Sequence, residues 1–428
     1  MENIHKIIES LLCNGCGTCY SICPQSAIKI DKNLKFGIYY ASINEDVCIN
    51  CGLCLKVCHS KSFFSGPLVE NQDLFGDYSS IYTGYATDSI LRHRASSGGI
   101  ISAILHYLIK NSMVDGFVLV KPSLNSPLEN VSFISQEIED IFRYSGTRYF
   151  PIPVNKILKE LEKLNGKYVI IGTPCQINSL RLYEEQKKSI REKIFLRISF
   201  FCGGVPNLNS HRYYMQQYGI KEDRVKSIYR GIGWPGNNVF YLDNGEIIKI
   251  PKRPKKIFNK VIHALTFFPI FSQKRCLLCY DRFGYGSDIS VGDAWLQEYS
   301  NDEDGVSLII SRNISSNKIL LDMQKSKVIN LEKGNTNQLV KSQYIFLDYF
   351  FNFPTTCRFL LGKKFAIENF SQKNRKINWL WGIKINLINI GMKLSTIKIF
   401  WPFLFLYGIL FYYGYHYVCL IEYLMKKL

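Results

Sequence analysis

The chain has 428 residues and carries 53 Lys and Arg against 35 Asp and Glu, a formal net charge of +18. That length accommodates a small module together with one large domain or two ordinary ones. The charge by itself suggests a nucleic-acid partner, but no helix-turn-helix, zinc-finger or stacking-platform motif accompanies it, and nucleic acid is excluded.

The predicted elements begin with cysteines. Eight of the fourteen fall in the first 58 residues, as Cys13-x2-Cys16-x2-Cys19-x3-Cys23-Pro24 and Cys48-x2-Cys51-x2-Cys54-x3-Cys58. Three thiolates at i, i+3 and i+6 let one loop wrap a [4Fe-4S] cluster, and in a two-cluster arrangement the last cysteine of each run serves the other cluster. The expected ligand sets are Cys13, Cys16, Cys19 and Cys58 for one centre and Cys48, Cys51, Cys54 and Cys23 for the other. Zinc would use two separated pairs rather than evenly spaced triplets. Disulfides would need a secreted chain, and residues 1 to 30 hold no signal-type apolar run. Gly15, Gly17 and Gly52 let the backbone turn tightly and aim amide hydrogens at sulfur. Over residues 8 to 65 the segment resembles a bacterial-type two-cluster ferredoxin, with one departure: His59 follows Cys58 where proline is common. So small a module buries little apolar surface, and the clusters would act as its core.

After a boundary expected near Ser65-Gly66-Pro67, residues 75 to 330 have the rhythm of a mixed α/β domain. A helix is predicted from Gly98 to Ile109, with strands at 117–120, 168–172, 195–200 and 289–293. The loop Arg94-Ala95-Ser96-Ser97-Gly98-Gly99 opens that helix. Its amides and hydroxyls suit a phosphate, and a plain N-cap explains the same residues. Tyr144-Ser145-Gly146-Thr147-Arg148-Tyr149 is open in the same way, as a ligand loop or a turn. Cys175 and Cys202 each follow a predicted strand, and Cys276-x2-Cys279 supplies a pair. From spacing alone a third [4Fe-4S] cluster, zinc at Cys276 and Cys279, and ordinary buried cysteines all stay open. Asp288 and Asp293 read as structural or pocket-orienting carboxylates. Lys252-Arg253-Pro254-Lys255-Lys256 reads as a solvated loop or a docking patch for an acidic electron donor such as ferredoxin.

Taken in order, the loops at 94–99 and 145–149, Gly172-Thr173-Pro174-Cys175-Gln176, Phe201-Cys202-Gly203-Gly204-Val205-Pro206, and Arg275-Cys276-Leu277-Leu278-Cys279 followed by Ser287 to Asp293 resemble the family of the coenzyme F420 hydrogenase/dehydrogenase beta subunit. The resemblance spans about residues 75 to 310. It implies an iron–sulfur flavoprotein in which Cys175, Cys202, Cys276 and Cys279 ligate a cluster and Ser96, Ser97, Gly98 and Gly99 contact FAD. Arg94, Arg148 and Arg275 are candidates to neutralise the diphosphate or the clusters, and an ordinary surface role stays open for Arg275. Ser145 and Thr147 join that expected cofactor site through their loop. The chain departs from the family's commoner pattern at Gly203-Gly204 and at Asn207. The implied role is an oxidoreductase in which clusters carry single electrons and FAD converts between one- and two-electron steps. Electrons would run to or from F420 or an organic substrate; the alternative is an electron-transfer subunit of a larger membrane-associated complex. A ferredoxin or another redox protein is the expected protein partner.

Residues 331 to 428 are expected to form a basic and hydrophobic helical tail. Between Lys363 and Lys398 eight basic residues face one acid, Glu368, and Ile399 to Ile421 carries no formal charge unless His416 is protonated. A helix from Pro402 to Ile421 would span roughly 30 Å, the thickness of a bilayer core. Trp401 at one end and the basic residues outside suit an interface with the inner face of the cell membrane. An interfacial anchor and a buried oligomer-forming helix remain as alternatives, because Tyr412, Tyr413, Tyr415, His416 and Tyr417 crowd one end. The expected fold is thus an α+β ferredoxin-like domain, a mixed α/β domain and a hydrophobic helical tail in a cytoplasmic protein.

Overall fold

The computed structural model describes residues 3–63, 75–252, 255–267, 269–279, 281–343 and 379–408. At the N-terminus, β1 (Ile28–Asn33) and β2 (Ile38–Ile43) pair antiparallel, and two short helices, Thr18–Ile22 and Leu53–Lys56, start at glycines with positive φ. The apolar side chains here are few. Ile4, Ile7, Leu12, Ile28 and Ala41 share their small core with Cys19 and Cys54, and Leu277 and Leu278 from the large domain complete it.

The large domain is built on an eight-stranded sheet. Its strands are β3 (Ser80–Ala86), β4 (Gly116–Pro122), β5 (Asn130–Ser135), β6 (Tyr168–Gly172), β7 (Ile194–Phe200), β11 (Ile289–Asp293), β12 (Ser307–Ser311) and β13 (Ile329–Lys333), in the order β13-β3-β12-β11-β7-β6-β4-β5. β4, β6, β7 and β11 run parallel. β12 is antiparallel to both β11 and β3, so β3 points the same way as the parallel set. Near-continuous apolar runs suit strands covered on both faces. Tyr168 and Ile170 of β6 belong to one core, with Ile177, Leu180 and Tyr183 of the helix Pro174–Gln186. Val169 between them belongs to the other, with Ile104, Leu105 and Leu108 of the helix Ile100–Lys110. Each such side chain contributes about 1.5–3 kcal/mol.

This topology puts the carboxyl ends of β3, β6, β7 and β11 along one edge, where open α/β sheets carry their ligand sites. A smaller antiparallel sheet, β8 (Val225–Gly231), β9 (Asn237–Leu242) and β10 (Ile247–Pro251), lies in the chain between β7 and β11. The domain end expected at 330 falls inside β13, which pairs with β3 along its whole length.

The described start of the tail folds back on the protein. The helix Trp379–Ser395 buries Ile388 in the N-terminal core, and after a bend of 115° the segment Lys398–Gly408 is helical again. Trp401 and Leu404, 3% and 0% exposed, sit in an aromatic cluster with Tyr213 and Phe271, and the Trp401 indole donates to the Ser395 carbonyl at 3.0 Å. Trp401 therefore packs against protein. No single helix among the described residues is long and apolar enough to cross a membrane, although this bent pair passes by length and composition together. The rest of the expected span, 409–421, and most of the basic run, 363–376, lie outside the described residues.

Candidate functional site

The N-terminal cysteines group as their spacing predicts. Gly17, with φ +92°, starts the helix that carries Cys19, and a Cβ there would stand 2.7 Å from the Lys156 amide nitrogen, so the loop closes only with glycine. Burial pushes the Cys58 thiol up to about 12, reinforced by Cys16 and Cys13 beside it. Burial likewise raises Cys19 well above the ordinary thiol value, with Cys13, Cys16 and Cys58 adding to it. Cys54 is raised by burial, and its thiol neighbours are Cys51 and Cys23. A pocket open to solvent is lined by Cys23, Cys48, Cys51 and Cys54. The fourth cysteine of each run thus lies with the other run's triplet. Backbone amides of Gly15 and Ala41 donate to the Cys13 sulfur at 3.4 Å, and that of Ala27 to the Cys23 sulfur at 3.3 Å. Thiols so crowded and dry ionise at a high cost unless iron neutralises them. His59 takes the place of the usual proline for a local reason: its amide donates to the Ser179 hydroxyl at 3.3 Å, which proline cannot do.

A second group of cysteines assembles from three places in the large domain. Cys175 is the second residue of the helix after β6, and Cys202 lies two residues beyond β7. Cys276 sits in the short helix Lys274–Leu277 and Cys279 lies two residues past its end. They converge: burial raises the Cys202 thiol, and its thiol neighbours are Cys276, Cys175 and Cys279. Arg282 braces the group, its guanidinium donating to the carbonyls of Cys276 at 3.0 Å and Cys202 at 3.3 Å. No three His, Cys, Asp or Glu side chains among the described residues close on a single ion. That holds equally for the eight N-terminal cysteines, because the corners of a cubane keep ligand sulfurs further apart than one ion would. The two groups touch across the module boundary, where the Asn14 amide donates to the Cys175 sulfur at 3.1 Å.

At the end of β11, five side chains form a knot that the sequence did not single out as a unit. Arg230 of β8 forms a bidentate pair with Asp293 at 2.8 and 2.9 Å, and the Trp234 indole donates to the same carboxylate at 2.9 Å. Burial raises the Asp293 pKa, but the Arg230 charge outweighs it and leaves the carboxyl below its usual range. The Tyr149 hydroxyl oxygen accepts from Lys252 at 2.9 Å and from Arg230 at 3.3 Å. Burial opposes ionisation of this phenol, yet Lys252 and Arg230 hold its pKa below the ordinary value. Tyr149 and Arg230 line a small pocket with His211, Tyr214 and Tyr229. His211, held neutral by burial with a pKa near 4, donates to the Tyr149 carbonyl at 2.6 Å. Asp293 and Lys252 were visible as residues, but Arg230 stands in an ordinary strand and carries no local signal. Asp288 is structural: it accepts from Arg181 and Asn313 at 2.9 and 3.0 Å and from the Arg197 amide at 2.8 Å.

The expected cofactor loops meet next to this knot. Ser96 donates to the Arg230 carbonyl at 2.8 Å and accepts from the Thr147 amide at 2.6 Å, while Ser97 donates to the Val306 carbonyl at 3.2 Å. Neither hydroxyl caps the following helix, whose N-cap is Gly99 at φ +76° with no side-chain cap. Gly98 lies flat on the sheet, where a Cβ would meet the Gly84 carbonyl at 2.7 Å. Ser145 donates to the Phe142 carbonyl at 3.0 Å. Arg94 is exposed. Arg148 donates to Ser227 and to the Ile228 carbonyl at 3.3 and 3.2 Å, its Nε is buried with no hydrogen-bond partner among the described residues, and burial brings its pKa down to about 10.

Models of the coenzyme F420 hydrogenase/dehydrogenase beta subunit match residues 81–159 with its N-terminal part and 165–337 with its C-terminal part, together more than half of the chain. The chain belongs to the family of the coenzyme F420 hydrogenase/dehydrogenase beta subunit. A 4Fe-4S dicluster domain matches residues 12–62, so this family member carries its own iron–sulfur module and has an iron–sulfur-dependent redox role. The coenzyme F420-dependent sulfite reductase of Methanocaldococcus jannaschii is 25% identical over 344 residues, 77% of this chain, and the chain spans about half, 49%, of that protein's length. A component of the F420H2 dehydrogenase of Methanosarcina mazei is 25% identical over 71% of this chain and 82% of its own. One protein of the F420-reducing [NiFe] hydrogenase complex from Methanosarcina barkeri superposes with a TM-score of 0.50 at 21% identity, covering 65% of this chain and 92% of its own, a likeness of fold. Among family features, Asn207 is accounted for locally: it caps the helix Leu208–Gln217 by accepting from the Ser210 amide at 3.0 Å.

Proposed function

We propose that this chain is an electron-transfer subunit that passes single electrons through three [4Fe-4S] centres and exchanges them, at the strand-end site, with F420 or another small organic acceptor, working with a redox protein of the ferredoxin class. The observation that carries the reading is the contact of the two cysteine groups, with Asn14 of the N-terminal module donating to Cys175 of the large domain. A ligand set of Cys175, Cys202, Cys276 and Cys279 makes the N-terminal module the entry of a continuous path. Relatives named for F420-dependent reductases and dehydrogenases support F420 chemistry, and a neighbour within a hydrogenase complex supports a partner protein.

The residues at the loops fit an anionic cofactor through Arg148, a buried guanidinium whose Nε has no hydrogen-bond partner among the described residues. Ser96 and Ser97 serve it less directly, because their protons are already donated to carbonyls and they order the loops around it. A flavin held there would convert between one- and two-electron steps. Tyr149, Lys252 and Arg230 would hold a proton-exchanging hydroxyl at the cavity wall, and Asp293 would fix Arg230 in place. That second pocket also supports a reading in which the isolated chain is an oxidoreductase in its own right.

Anaerobic purification separates these. About twelve iron atoms per chain, with no small-molecule turnover until a ferredoxin-class partner is added to reduce the centres, is the expected result. About eight iron atoms would remove the third centre. Turnover by the isolated chain would establish the second reading, and failure to bind flavin on reconstitution would remove the flavin.

A further inference from the structure

The boundary between the N-terminal module and the large domain contains a buried cation. Arg275 is 1% exposed and precedes Cys276 in the chain. Its Nε donates to the Ser60 hydroxyl at 2.9 Å, and that hydroxyl donates to the Leu12 carbonyl at 2.9 Å. The guanidinium is thereby tied to backbone that precedes Cys13 and follows Cys58. The sulfurs of Cys175, Cys279, Cys276 and Cys58 are its neighbours, and they come from both cysteine groups. Beside it, Asn14 bridges the same groups, donating to the Cys175 sulfur while its carbonyl oxygen accepts from the Cys16 amide at 3.3 Å.

We propose that Arg275 is a cation shared by two neighbouring iron–sulfur centres, that of Cys13, Cys16, Cys19 and Cys58 and that of Cys175, Cys202, Cys276 and Cys279, and that it sets their two reduction potentials together. The proposal rests on the third-centre reading above. Adding an electron to either centre adds negative charge, and a fixed positive charge in a dry, low-dielectric seam stabilises the reduced form of both. A buried cation facing one centre alone would raise one potential and open a gap between them; placed in the seam, it raises both and keeps the step between them small. In that step one electron leaves the first centre and enters the third, with no bond made, no proton moved and Arg275 still charged. The electron comes from the ferredoxin-class donor.

The test is an anaerobic redox titration of the full chain followed by electron paramagnetic resonance, with iron counted on each variant. Arg275→Gln, at full iron, is expected to disfavour reduction of both centres about tenfold, ~59 mV for a one-electron couple. Arg275→Lys keeps the charge and loses the guanidinium bond to Ser60, and is expected to stay within about threefold of the parent at both. A shift at one centre only, no shift at either, or equal shifts in the Lys and Gln variants would overturn the proposal. If the Gln variant fails to load iron, the Lys variant decides: both potentials held support the shared charge, and one held while the other moves overturns it. A parent chain with about eight irons and one type of signal would instead overturn the third-centre reading on which this stands.

Discussion

At the scale of single residues, the two most informative side chains are Cys175 and Asp293, and they act in different ways. Cys175 touches the N-terminal module through Asn14. Cys175→Ala is expected to lower iron from about twelve to about eight atoms per chain while leaving the signals of the N-terminal pair, measured by iron assay and electron paramagnetic resonance; unchanged iron would remove Cys175 from the ligand set. Asp293 ties Arg230 to the sheet edge through two hydrogen bonds. Asp293→Asn leaves Arg230 buried beside Lys252 without its carboxylate, and denaturant unfolding is expected to show a loss of roughly 3–5 kcal/mol. The pH dependence has a definite sign. The carboxyl is held below its usual range in the folded chain, so its stabilisation is present above the unfolded value of about 3.9 and fades as pH falls through the lower folded value. The parent chain should lose stability more steeply than the Asn variant below about pH 4, and parallel curves there would count against the pair.

At the scale of elements, the sheet edge explains why the serine and glycine loop looks like a ligand loop. Gly98 lets the loop lie on β3, and Ser96 staples it both to the loop at Thr147 and to the end of β8. Gly98→Ala, with its Cβ 2.7 Å from the Gly84 carbonyl, is expected to cost about 1–3 kcal/mol in thermal or denaturant unfolding. A neutral result would mean that the loop lifts from the sheet. The parallel strands β4, β6, β7 and β11 were legible in the chain, because buried parallel strands read as short apolar runs. The extent of the domain was less so: β13 looks like part of a polar tail, with Asn330, Glu332 and Lys333 in a five-residue strand, and only its pairing with β3 makes it part of the sheet. The tail's Trp401 reads as an interfacial anchor until Tyr213 and Phe271 are seen around it.

At the scale of the whole molecule, the N-terminal module has a small core in which Cys19 and Cys54 pack with Ile4, Ile7, Leu12, Ile28 and Ala41. Stripping the iron by anaerobic chelation is expected to expose residues 3–63 to protease and to fast amide exchange, while the eight-stranded domain stays protected; protection of both would show that docking alone holds the module. The amino-acid sequence by itself determined that this is a two-cluster module ahead of an α/β domain, because each cysteine triplet wraps its cluster within one loop and such spacing is local geometry. Loop-forming glycines and strand runs are local in the same sense. Only the tertiary structure decided that Cys175, Cys202, Cys276 and Cys279 meet, that Asn14 and Arg275 stand between them and the first module, and that Arg230 and Lys252 close on Tyr149. The Tyr149–Arg230 and Asn14–Cys175 contacts join residues 81 and 161 positions apart. It is the order of strands in the sheet and the docking of two cores, not any short-range preference of the chain, that brings such residues together.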